Sequence, residues 1–113
     1  MEKKKKAWIY CSVDAPEDVH GILKEQFRQL CDYAQQMNFE TVGSSSDCGG
    51  GPLCYRSGFR DFMEAVRRGE TNVLLVISRK ALTHSTIQSA WLQAEAEMRK
   101  LEIWSPQEGR ILL

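Results

Sequence analysis

Apolar residues in this chain fall into two compact runs and three spaced stripes. The first run, Ala7-Trp8-Ile9-Tyr10-Cys11-Ser12-Val13-Asp14, ends in a turn signal at Ala15-Pro16. The second, Asn72-Val73-Leu74-Leu75-Val76-Ile77, is unbroken. Short continuous runs rich in aromatic and β-branched residues predict strands buried on both faces of a parallel sheet. Between the runs, Val19, Ile22, Leu23, Gln26, Phe27, Leu30, Ala34 and Met37 recur at three- and four-residue spacing. They predict one amphipathic helix opened by Pro16-Glu17-Asp18 and ended at Asn38, with Gly21 weakening its first turn. Phe39 to Val42 predicts a short second strand near a sheet edge.

Phe59, Phe62, Met63 and Val66 predict a second helix stopped by Gly69. A third runs from about Thr86 to Lys100, with Ile87, Trp91, Ala94, Met98 and Leu101 inward. Glu102 to Trp104 makes a last short strand, and the apolar Ile111-Leu112-Leu113 end of the tail is free to pack or pair. Residues 43–58, with Gly49-Gly50-Gly51 and three serines, predict a mobile loop. The order β-α-β-loop-α-β-α-β predicts a three-layer α/β fold, a mainly parallel sheet of about four strands flanked by helices. In such sheets chemistry sits beyond the carboxyl ends of the strands, which draws attention to Tyr10, Ser12 and Asp14.

The length of 113 residues suits a single domain, 1–113. Fifteen Lys and Arg balance fifteen Asp and Glu, so bulk charge does not draw the chain onto nucleic acid. Four of those bases are Lys3 to Lys6, and residues 1–6 are expected to be a disordered basic tail. No signal peptide or membrane-length apolar run is legible, so no membrane association is expected and the cytoplasm is the expected location. Cys11, Cys31, Cys48 and Cys54 lack metal-site pairing and are expected as free thiols, with no metal and no cofactor. The glycine-rich stretch carries neither a G-x-x-x-x-G-K-[ST] pattern nor a G-x-G-x-x-G opening a helix after the first strand.

Read with its residues, the layout from about 7 to 105 resembles the catalytic domain of serine site-specific recombinases, the resolvase/invertase family. That family's first strand is written approximately Y-x-R-x-S, here Tyr10-Cys11-Ser12-Val13-Asp14. Its first-helix pattern L-x-x-Q-x-x-x-L-x-x-Y-A is met by Leu23, Gln26, Leu30, Tyr33 and Ala34. An acidic residue, a glycine-rich loop and R-x-G-[FL] follow, here Asp47, Gly49 to Gly51, and Arg56-Ser57-Gly58-Phe59. Glu64 to Gly69 then precedes the apolar strand as in the family.

The resemblance implies attack of a serine hydroxyl on a DNA phosphodiester, with arginines neutralising the phosphate. Here the nucleophile position holds Asp14, and the arginine before it is Ser12. The family's D-R-L-S-R segment aligns with Lys80-Ala81-Leu82-Thr83-His84, so both arginines and the aspartate are gone. Of the active-site positions Tyr10, Ser12, Asp14, Arg56, Lys80, Ala81 and His84, only Tyr10 and Arg56 keep the family residue. The expectation is a resolvase-like domain, catalytically inactive, associated with DNA recombination through protein contacts: a homo-oligomer, or a partner of an active recombinase. DNA is expected at most as a weakly held partner through its phosphates. Two alternatives stay open. One is an active recombinase fragment with Ser12 as displaced nucleophile and His84 as base. The other is a small-anion or nucleotide binder at the strand ends, using Arg56, Arg79 and Lys80. Nothing after Ser105 is expected to build the family's long dimer helix or its DNA-binding module.

Overall fold

A computed structural model describes residues 3–18, 20–83 and 85–112. His84, an expected active-site position, lies outside the described residues, as does Val19. The elements in chain order are β1 (Lys6–Val13), α1 (Ile22–Gln36), β2 (Glu40–Cys48), α2 (Ser57–Arg67), β3 (Val73–Leu75), α3 (Thr86–Arg99), β4 (Glu102–Ser105) and β5 (Gly109–Arg110). Short 3-10 turns lie at Leu53–Tyr55 and Arg79–Ala81. The sheet order is β2-β1-β3-β4-β5; the first four strands are parallel, and β5 returns antiparallel beside β4.

The period-two geometry of β1 sorts its residues between two cores. Ala7, Ile9 and Cys11 pack with Leu30, Tyr33 and Ala34 of α1. Tyr10 faces the other way, with Phe59, Phe62 and Met63 of α2 and Leu92 of α3. β3 divides alike: Val73 and Leu75 join the first cluster, and Leu74 joins the second. The result is three layers, with α1 on one side of the sheet and α2 and α3 on the other.

Five points depart from the sequence-based expectation. The sheet has five strands, not four, because the tail turns back and Ile111 donates its N–H to the Ile103 carbonyl at 2.7 Å. β2 runs nine residues through Gly43 and the serines, since the ladder with β1 satisfies a backbone of low intrinsic strand propensity. Lys6 begins β1, and Lys5 is tied to the Glu102 carboxylate at 2.8 Å, so the basic tail is ordered at this end. On α1, which starts after Gly21, Ile22 and Phe27 are exposed; Asp18 accepts from the Ile22 and Leu23 amides at 2.7 and 2.9 Å. Finally, the inward face of α3 is met only in part: Trp91 packs on the core and Leu101 just beyond the helix is buried as expected, but Leu92 is fully buried while Ile87 and Met98 are 78% and 72% exposed.

Candidate functional site

Pairing of β1 with β2 continues to Val13, whereas its pairing with β3 stops at Ile9, and beyond that point a side chain takes over. Gln26 of α1 accepts from the Ser12 amide at 3.1 Å and donates to the Ser12 carbonyl at 2.9 Å. Its primary amide reproduces a peptide group and satisfies both backbone groups where the ladder runs out. This fixes the direction of Ser12, whose hydroxyl crosses to the far side of the sheet.

Beneath it, Asp47 near the end of β2 serves as an external cap for α2. Its carboxylate accepts from the Gly58 amide (2.8 Å), the Phe59 amide (3.1 Å) and the Ser57 hydroxyl (3.2 Å). The helix has no capping side chain of its own, Arg56 standing at that position. A carboxylate on the free N–H groups of a helix start is favourable both as hydrogen-bond acceptor and against the helix dipole. The fourth donor is the Tyr10 hydroxyl at 2.8 Å. Burial drives the Tyr10 phenol well above its usual range; Asp47 adds to this and Arg56 partly offsets it, leaving a neutral hydroxyl that donates. The close approach needs Gly58: a Cβ there would lie 2.6 Å from the Ser46 carbonyl oxygen. Ser45, next but one along β2, accepts from Trp8 Nε1 (2.9 Å) and donates to the Gly58 carbonyl (2.6 Å), so β2 holds α2 at two levels.

Arg56, just ahead of α2, is spent on backbone. Its Nε donates to the Gly51 carbonyl at 3.1 Å and its Nη1 to the Ala81 carbonyl at 3.0 Å. The same Ala81 oxygen accepts from Ser12 Oγ at 2.9 Å. Three distant segments, the ends of β1 and of the glycine-rich loop and the turn after β3, therefore meet on one guanidinium and one carbonyl. Asp14 lies in the bend after β1 beside Gly50, and Gly49 donates its N–H to the Val13 carbonyl at 2.9 Å.

Tyr10, Ser12, Arg56 and Ala81 are thus brought together, and Asp14 borders the loop beside them. Arg79 and Lys80 are not. They line a separate hollow with Thr83, Glu108, Arg110 and Leu112, whereas Arg56 lines one with Asp47, Gly50 and Gly51. The expected anion trio is therefore split between two places. Gln26 and Asp47, which the sequence shows only as parts of the family pattern, join the site; their signals are an amide in an apolar helical stripe and an acid eleven residues before a glycine at a helix start.

Among the described residues no cluster of His, Cys, Asp and Glu is placed to hold a metal, and no helix is long and apolar enough to cross a membrane. With its hydroxyl proton directed at a carbonyl, Ser12 has no base beside it among these contacts, and a single guanidinium, already shared, faces the strand end.

No protein-family model and no curated protein matches the sequence. Solved structures do match. The N-terminal catalytic domain of TP901-1 integrase superposes with a TM-score of 0.77 at 20% identity, over 93% of this chain and 79% of that one. The C-terminal catalytic domain of ISC1926 TnpA, an IS607-like serine recombinase, gives 0.77 at 21%, over 88% and 68%. A resolvase family site-specific recombinase from Streptococcus pneumoniae gives 0.76 at 18%, over 94% and 74%. This chain has the fold of the serine recombinase catalytic domains.

Proposed function

We propose that this chain is a recombinase-fold domain that takes part in DNA recombination without cutting DNA, by pairing with a protomer of the same fold. One observation carries the reading. The Ala81 carbonyl takes both the Ser12 hydroxyl and the Arg56 guanidinium, while Asp14 stands where the resembling family has its serine. Attack on a phosphodiester needs a free nucleophile and several positive groups on the developing charge. Here the hydroxyl is spent, one arginine remains, and a carboxylate repels the phosphate. Each charge-stabilising group removed from such a centre costs on the order of a hundredfold or more in rate.

Pairing is supported by the outer face of α3, where Ile87, Ala90, Ala94 and Met98 are exposed in one stripe at helical spacing. Exposed large apolar residues aligned along a helix favour a protein neighbour over water. The structural neighbours, an integrase and two recombinases, supply the DNA-recombination setting.

The test combines a covalent-adduct assay on suicide duplex DNA with sedimentation of the protein alone and mixed with an active serine recombinase. The expected result is no adduct, and an association weakened tenfold or more by Met98→Lys with the thermal midpoint unchanged. A covalent serine–DNA adduct abolished by Ser12→Ala would overturn the reading and make Ser12 a displaced nucleophile. Association indifferent to Met98→Lys and Ile87→Lys would remove α3 as the pairing face.

A further inference from the structure

We propose that the hollow beside β5, lined by Arg79, Lys80 and Arg110, is a contact site for the phosphates of duplex DNA. The proposal rests on the DNA-recombination setting above and adds to it where DNA would touch this chain. It places the contact beside β5 and not at the end of β1, with Lys80 the one position shared with the family pattern.

Charge neutrality of the whole chain makes any local excess of one sign informative. Four arginines are neutralised close by, while Arg60 on α2 is exposed and, among the described residues, forms no ion pair. Arg28 pairs with Glu25 and Asp32, Arg67 with Glu64, Arg68 with Glu64 and Glu70, and Arg99 with Glu95. Arg56 is turned onto two carbonyls. Arg79, Lys80 and Arg110 are exposed and, among the described residues, form no ion pair. This holds even though Glu108 lines the same hollow. Its two carboxylate oxygens are turned onto the Arg79 backbone amide, at 3.2 and 3.0 Å, and not onto the cations. Glu108 thereby fixes the turn that carries Arg79 and Lys80 against the β4–β5 hairpin that carries Arg110.

Three cations from two segments are held in one concavity by a carboxylate bonded to backbone. That arrangement suits a polyanion whose charges repeat, and Thr83 offers a hydroxyl at the same rim. Three such contacts give a logarithmic salt slope of about −2.7, so binding should weaken on the order of 40-fold between 50 and 200 mM salt.

The experiment measures binding of the full chain to a fluorescent 25-base-pair duplex across that salt range. It compares wild type, the neutral triple variant Arg79→Gln/Lys80→Gln/Arg110→Gln, and Arg60→Gln on α2, which does not line the hollow, with thermal midpoints to confirm folding. The expected result is that the triple variant loses ~10-fold or more in affinity at 50 mM salt. Its slope should also fall by about 2–3, while Arg60→Gln binds like wild type. Loss in Arg60→Gln with an unchanged triple variant would overturn the hollow as the site yet leave a DNA role standing. No binding by wild type at 50 mM salt would overturn the proposal; the pairing reading would then be judged by sedimentation and the adduct assay alone. Competition by inorganic phosphate or poly-L-glutamate at charge concentrations equal to those of the DNA would also overturn it, as a general anion or acidic-protein site.

Discussion

Ser12 Oγ donates to the Ala81 carbonyl oxygen at 2.9 Å, joining residues 69 positions apart in sequence. The bond ties the end of β1 to the turn after β3 and uses the hydroxyl that the strand-end position makes available. Because Arg56 Nη1 reaches the same oxygen, the two side chains act as a pair on one acceptor.

A shared acceptor predicts non-additivity. Ser12→Ala and Arg56→Ala should each cost about 0.5–1.5 kcal/mol in urea unfolding, since the carbonyl keeps its other donor. The double variant should exceed the sum by about 1 kcal/mol, because the oxygen is then left to water alone. Strict additivity would show that the two bonds do not share a role.

Asp47 joins four donors, so its removal should be felt at both ends. Asp47→Ala takes away the cap of α2 and leaves the buried Tyr10 hydroxyl unpaired, an expected loss of about 2–4 kcal/mol. Tyr10→Phe removes one donor and leaves the cap, with an expected cost of about 1 kcal/mol. In the Asp47→Ala background, Tyr10→Phe should be neutral or restore stability. A full-sized cost for Tyr10→Phe in that background would mean that the hydroxyl has a different partner.

Alkaline pH should destabilise the fold through Cys11. Burial, with Cys31 adding to it, pushes the Cys11 thiol from 9.0 up to about 11. The native state then holds the proton more tightly than the unfolded chain. The stabilisation is complete below pH 9 and is lost as pH rises toward the folded value of about 11. Urea midpoints should fall across that window and fall less steeply in Cys11→Ala. Tyr10, its phenol raised by burial, contributes at higher pH in both proteins. Parallel curves would exclude Cys11 as the titrating group.

The two compact apolar runs were legible as strands because a strand buried on both faces leaves no other pattern to read. The parallel α/β order followed from the helical stripes between them, and the edge position of β2 from its polarity. Tertiary structure decided what depends on a distant partner. Gly43 to Cys48 carries little strand propensity and becomes strand because β1 offers a ladder and Trp8 and Gly58 meet Ser45. On α3, the stripe through Ile87, Ala94 and Met98 and the one through Leu92 and Ala96 are both consistent with a helix. The sheet chose the second by burying Leu92. Arg56, Arg79 and Lys80 all stand near strand ends in sequence. Arg56 reaches the Ala81 carbonyl on the very turn that carries Arg79 and Lys80, while Glu108 holds that turn against the β4–β5 hairpin; no local periodicity encodes either long-range bond. Local pattern specifies which segments fold and with what period; which face is covered, and which charges remain free, is set by contacts between residues far apart in the chain.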